Sequence, residues 1–302
     1  MNQYLKYNLN LNTLFFTSLI VVAMQTLSLT AFSAQGFVAI PKQGFTDSAY
    51  TLCNPTGDFG LKESTAPNAA INNNCAVSNE KLLESPMNAP LEGFTLVGLI
   101  SRGIQMPAHY AGEFDEVATL TDTIWRNADK TECIYGTHLL MKPNVLADGQ
   151  MWEVNDIARG GFSGRPVEVA YFIKPEPHKE YGFPEAVFRV GRTFTSVNNG
   201  KNTLALPALQ GAPDISKAMT NIQAAAVNEN WVDFTTDVNA KDPDGVTRMM
   251  SSMLYIKTTC SDYAPVEVEN AIRLLTTGQN GQHQLEITVP GLVPPNGVIE
   301  KY

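Results

Sequence analysis

Positive charge is scarce in this 302-residue chain. Lys and Arg number 21 against 30 Asp and Glu, for a formal charge of -9 at pH 7. No run of Lys or Arg offsets that balance locally. Such a chain repels phosphate backbones, so no nucleic-acid partner is expected. Histidine is sparse as well: His109, His138, His178 and His283 are scattered, with no pair at helical spacing. There is no C-x-x-C pair, so the usual ligand spacing of a zinc site is missing. Neither a phosphate-cradling loop nor a dinucleotide fingerprint follows a strand-like run. Beyond residue 33 no stretch reads as a membrane span, and Gly291, Pro294, Pro295 and Lys301 lead out without an apolar tail. The mature chain is therefore expected to carry no transmembrane span and to be soluble or peripherally attached.

The N-terminal region is where apolar residues do concentrate. Met1 to Thr13 is polar with one basic residue, Lys6, and Leu14, Phe15, Phe16, Leu19, Ile20, Val21, Val22, Ala23 and Met24 follow as a short apolar core. Leu27, Leu29, Ala31 and Phe32 then lead into small residues, with Ala31 and Ser33 at the spacing read by signal peptidase. Polar tip, apolar core and small-residue exit describe a secretory signal peptide over residues 1–33, cleaved after Ser33 or, as second choice, after Ala34. A membrane anchor needs roughly 20 predominantly apolar residues, and Thr17, Ser18, Gln25, Thr26, Ser28 and Thr30 interrupt this run. No cysteine follows the cleavage region, so a lipid anchor has no attachment point there. Cleavage removes Lys6 and leaves a formal charge of -10. About 270 residues remain, enough for one large or two modest domains with a real core. The destination is the periplasm, the cell surface or the extracellular space.

Cys53, Cys75, Cys133 and Cys260 are an even set, which in an exported chain reads as two disulfides. Three pairings exist on paper. Cys53 with Cys75 is the natural local pair, and Cys133 with Cys260 would then staple distant strands, a loop closure of about 4–5 kcal/mol in the chain-entropy account.

Residues 34–90 form a loop-rich segment pinned by the first bridge, with room for one or two edge strands. Asn54-Pro55-Thr56-Gly57-Asp58 is dense in turn residues. From residue 91 to 302 the pattern changes to short runs between turns. These are Phe94 to Ile100, Val117 to Trp125, Cys133 to Met141, Met151 to Ile157, Val167 to Ile173, Ala186 to Val197, Trp231 to Val238, Ser252 to Thr259 and Leu285 to Val289. Period-two alternation puts one set of side chains in a core and the other in solvent. The fold class is all-β, a sandwich or jelly-roll-like domain, with one or two short helices. Asp214 to Asn230 has helical spacing, and Val266 to Leu275 fits helix or strand.

Four features invite chemistry. Asp237, Asn239, Asp242 and Asp244, closed by Gly245, crowd four oxygen-bearing side chains together and make calcium the one cofactor the sequence offers. The competing interpretation is an acidic turn, since Pro243-Asp244-Gly245 is strong turn chemistry by itself. The strand and bend from Glu153 to Arg165 hold Trp152, Glu153, Asp156 and Arg159 as candidate ligand contacts, against a plain turn closed by an Asp156–Arg159 ion pair. Ser163 lacks the final glycine of a nucleophile elbow. Trp125, Trp152 and Trp231 stand beside polar residues, as sugar-stacking rings do, and serve equally as core residues. Glu113, Asp115, Glu116, Asp122, Glu153 and Asp156 offer nominal carboxylate pairs for glycoside hydrolysis. No set stands out as catalytic. The reading is an exported, non-catalytic protein, structural or ligand-binding, with a surface glycan or protein as partner. A carbohydrate-active hydrolase and a filament subunit donating residues 34–45 to a neighbour are the alternatives.

Overall fold

A computed structural model of the chain describes residues 37–44, 49–52, 87–113, 115–172, 187, 189–194, 227–241, 249–277 and 284–300. All of them fall within one compact unit, Ser33–Tyr302. Twelve strands follow in order: β1 (Val38–Ile40), β2 (Tyr50–Leu52), β3 (Phe94–Gln105), β4 (Glu116–Asn127), β5 (Glu132–Met141), β6 (Glu153–Arg159), β7 (Val167–Phe172), β8 (Arg189–Gly191), β9 (Val232–Asn239), β10 (Met253–Thr259), β11 (Val266–Thr277) and β12 (Gln284–Val293). Among the described residues there is no helix. Most of the segment expected to be helical lies outside them, and residues 227–230 are irregular and turn.

The strands form two six-stranded sheets, ordered β1-β7-β10-β5-β4-β3 and β12-β11-β6-β9-β8-β2. Every pairing is antiparallel. One core draws on both sheets: Ile104, Leu120, Tyr135 and Ile256 from the first, Ile157, Phe234, Leu274 and Ile287 from the second. Alternation explains the membership. Leu120 and Ile124 on β4, or Leu285, Ile287 and Val289 on β12, recur every second residue and so share a face. The two short strands of the loop-rich segment join opposite partners, β1 on β7 and β2 on β8.

Local chemistry sets several of the joints. Between β4 and β5 the chain turns through Lys130 at φ 59°, and Asn127 Oδ1 accepts from the Thr131 and Glu132 N–H groups. Asparagine favours turns because its side chain satisfies the backbone there. The outer face of the first sheet is partly covered. Trp125 lies against Phe94, Leu96, Leu91 and Tyr255, and its ring N–H donates to Met87 O at 3.1 Å. Its ring occupies the space above Gly136, where a Cβ would sit 2.5 Å from it.

Cys133 and Cys260 are joined. Cys133 pairs with Thr258 in the β5–β10 ladder, and the Cys260 N–H donates to Thr131 O at 2.7 Å, so the bridge links strands adjacent in the sheet and 127 residues apart in the chain. Cys53 and Cys75 lie outside the described residues. The segment left open between helix and strand is β11. Its register against β12 shifts between Val268 and Ile272, with Asn270 at φ 59°. A bulge of this kind slips the alternation of side chains and imitates helical spacing.

Candidate functional site

β6 runs through the middle of the second sheet, between β11 and β9. All seven of its residues are buried. Residues 156–159 pair on both edges, and both faces of the strand are covered. The four residues expected to grip a ligand therefore separate. Arg159 faces the core between the sheets, Asp156 faces the opposite side, and Trp152 with Glu153 sits at one end of the strand.

Between the sheets, Arg159 Nη2 lies 2.6 Å from Asp122 Oδ1 on β4, and both side chains are withdrawn from solvent. Arg159 also donates to Thr137 Oγ1 at 2.8 Å and to Leu292 O at 2.5 Å, while the Leu292 N–H donates to Asp122 Oδ2 at 2.6 Å. The guanidinium stands 5.2 Å from the Tyr135 ring centre. Burial pushes the Asp122 carboxyl up, and the Arg159 charge and the Leu292 N–H pull it back. The ion pair of Arg159 is thus with Asp122, across the sheets. The reason is parity: residues 156 and 159 stand three apart on a strand and face opposite sides.

On the outer face of the second sheet, Asp156 meets Asp233 of β9. The Tyr50 hydroxyl of β2 donates to Asp233 Oδ2 at 2.5 Å. Burial raises the Asp233 carboxyl well above the carboxylate range. The Asp156 charge pushes the same way, against the Tyr50 hydrogen bond and the Arg273 charge. Burial also raises the Tyr50 hydroxyl, with Asp233 and Asp156 adding to it. Two acids so placed hold one proton between them more easily than two charges. Tyr50 reaches Asp233 because its strand passes close over Gly191, where a Cβ would meet Ala49 O at 2.3 Å. Nearby, Arg273 donates to Glu286 Oε1 at 2.5 Å and Phe194 O at 2.9 Å, and stacks on the Phe194 and Trp231 rings.

At the end of β6, the Trp152 ring N–H donates to Thr276 Oγ1 at 3.0 Å, and that hydroxyl donates to Glu153 O at 2.5 Å. Asn155 Nδ2 donates to the Glu153 carboxylate. Trp152 and Glu153 line a recess with Tyr110, Asp148, Gln150 and Leu285. Trp152 and Glu153 are themselves buried, and Asp148 and Gln150 at the rim are exposed.

The other candidates are placed as follows. Ser163 donates to Glu300 Oε1 at 2.5 Å and accepts from Asn230 Nδ2 at 3.1 Å, within a bend held by Gly161 and Gly164 at positive φ. Trp125 and Trp231 are both fully buried. Burial lowers the His138 imidazole. In the acidic loop, Asn239 Oδ1 accepts from the Lys241 N–H at 2.9 Å, and Asp237 belongs to β9. Asp242 and Asp244 lie outside the described residues. Among the described residues no group of three or more His, Cys, Asp or Glu side chains is arranged to hold a metal.

Asp233, Tyr50 and Arg273 escaped the sequence reading as site residues, and Asp122 entered it only as a nominal carboxylate. A signal existed for two of them. Asp122 is in phase with Leu120 and Ile124, and Arg273 stands in a run of apolar residues, Ala271, Ile272, Leu274 and Leu275. A charge in phase with buried residues announces an internal partner, though not which one. Comparison with protein-family models, with curated proteins and with solved structures found no match.

Proposed function

We propose that this chain is exported and acts outside the cytoplasm as a non-catalytic β-sandwich protein of the cell surface or extracellular space, structural or ligand-binding. The Cys133–Cys260 bridge carries the reading, because it ties together strands 127 residues apart and such bridges persist in oxidising compartments. The signal-peptide pattern of residues 1–33 agrees with it, and a second bridge, Cys53–Cys75, belongs to the same proposal. The carboxylates best placed to work as a pair, Asp156 and Asp233, are both 0% exposed. That position suits a structural role, since a glycan needs a cleft between its two acids.

For ligand binding the exposed rim of the shallow recess beside Trp152 and Glu153 is the natural place. Tyr110 supplies a ring, and Asp148 and Gln150 supply hydrogen-bonding groups for a surface glycan or an extended protein segment. Calcium bound through Asp237, Asn239, Asp242 and Asp244 is the cofactor this reading would accommodate. The residues Val38–Ile40, the core of the segment considered for donation to a neighbour, pair with β7 of their own chain.

Cell fractionation followed by glycan-array binding with and without calcium tests the proposal. Recovery from an exported fraction, with binding weakened by Asp148→Ala or Gln150→Ala, is the expected result. Recovery from the cytosol, or hydrolysis of glycans, esters or peptides abolished by Glu153→Gln in a folded protein, would overturn it.

A further inference from the structure

Residues three apart on a regular strand face opposite sides, yet Met250 and Met253 share one face. The β5–β10 ladder pairs Tyr255 with Gly136 and Leu254 with Thr137, and the next step sets Met253 beside His138. Beyond it the register slips by one residue. The Ser251 N–H donates to Leu139 O, the Ser251 hydroxyl accepts from the Leu139 N–H, and Met250 bridges to Leu140. A bulge of this kind adds one residue and re-aims the side chains that follow. Leu139 belongs to the core between the sheets, so Leu140 and its partner Met250 face outward, 41% and 48% exposed. Met253 packs on the same outer face against the cluster of Trp125, Ile134 and Tyr255.

His138 stands between the two thioethers, with Met253 directly across and Met250 one diagonal step away. Directly opposed residues hold their Cβ atoms about 4.5–5.5 Å apart and diagonal ones about 7–8 Å, gaps that two methionines and an imidazole close on a shared ion. The imidazole is half-buried and, among the described residues, has neither a hydrogen-bond partner nor a charged neighbour. Burial alone lowers its proton affinity, so the ring is neutral with a lone pair to give. Packing by itself does not explain this group, because a partly buried polar ring without a partner costs stability and leucine would fill positions 250 and 253 equally well. The Trp125 ring lies over Gly136, two residues before His138 on the same face. An indole so placed is a favourable neighbour for a cation.

We propose that His138, Met250 and Met253 form a binding site for a soft monovalent cation, the cuprous ion, on the outer face of the first sheet. Thioether sulfur and neutral imidazole select Cu(I), whereas hard ions prefer carboxylate and carbonyl oxygen. The site shares no residue with the acidic loop at Asp237, and it is independent of export and of the recess at Trp152.

The test is a Cu(I) titration of the full chain under nitrogen, with free thiols blocked by N-ethylmaleimide and bicinchoninate as the competing chelator. The wild-type chain is expected to withhold one Cu(I) from the chelator. Met250→Leu, Met253→Leu and His138→Gln should each weaken binding by more than about tenfold, the loss that even an outer partner of a metal site produces. Leucine keeps the volume of methionine, so the two Met variants should retain the wild-type circular dichroism. Met249, 40% exposed, is a neighbouring thioether outside the proposed set, and Met249→Leu should leave binding unchanged. A wild-type chain that yields all of its copper to bicinchoninate would overturn the proposal. So would binding left intact by any of the three substitutions, or binding that Met249→Leu weakens as much as Met253→Leu.

Discussion

Asp122 and Asp233 are carboxylates buried to the same degree, on opposite sides of one strand, and they are stabilised in opposite ways. Asp122, between the sheets, meets the Arg159 guanidinium and a backbone N–H. Asp233, on the outer face, meets another acid, Asp156, and a tyrosine hydroxyl. The first arrangement keeps charge by supplying a countercharge. The second leaves burial and repulsion to hold a proton on the pair. β6 supplies a member to each, Arg159 inward and Asp156 outward, because successive side chains of a strand alternate. Charged residues concentrated on one strand are therefore no evidence of one site. Here they tie the strand to both of its surroundings.

The largest effect should come from breaking the inner pair. Arg159→Met leaves Asp122 buried without its cation, at a cost of about 3–5 kcal/mol in denaturant unfolding. That cost should be smallest near pH 4, where Asp122 can be neutral, and should grow toward pH 8. The double variant Asp122→Leu/Arg159→Met should recover most of the loss, because a matched apolar pair avoids the desolvation that the ions suffer. A double variant as unstable as the single one would mean that the surrounding hydrogen bonds, and not the charge balance, set the cost.

The outer pair is broken more gently. Gly191→Ala pushes a methyl group into Ala49 O and lifts β2, drawing Tyr50 away from Asp233. A loss of about 1–3 kcal/mol is expected for such overpacking, read from the melting temperature. Asp233→Asn sharpens the comparison through pH. The raised carboxyl of Asp233 means that the folded chain binds more protons than the unfolded one above pH ~4. Its contribution is therefore complete below that pH and is lost as pH rises toward the folded value. Wild-type stability should fall between pH 5 and 8, and Asp233→Asn should flatten that slope, leaving the part that belongs to Asp122. An unchanged slope in Asp233→Asn would show that the outer pair holds no extra proton.

How much of this was legible in the sequence varies by element. Nine runs were readable as strands because alternation survives wherever one face is buried and pairing is regular. β11 was ambiguous for a local reason, the bulge between Val268 and Ile272 that puts the two halves out of phase. β1 and β2 were foreseeable only as edge strands in a loop-rich region, because three residues carry too little period to measure. The bridge between Cys133 and Cys260 was one of three pairings open on paper, suggested by their strand-end positions. Trp152, Glu153, Asp156 and Arg159 are close in sequence but separate in space, since successive residues along a strand face opposite sides. Partners such as Asp122 with Arg159, or Tyr50 with Asp233, are 37 and 183 residues apart and depend on which sheet each strand joins. Only the folded topology supplies that.

The central claim is an exported chain stapled across β5 and β10. Its most direct test is mass spectrometry of the protein recovered from fractionated cells, after alkylation of free thiols without reduction. The account predicts a chain outside the cytoplasm that begins at residue 34 or 35, with Cys133 and Cys260 unalkylated and found in one linked peptide pair. A cytosolic chain that still begins at Met1, with both cysteines alkylated, would contradict it.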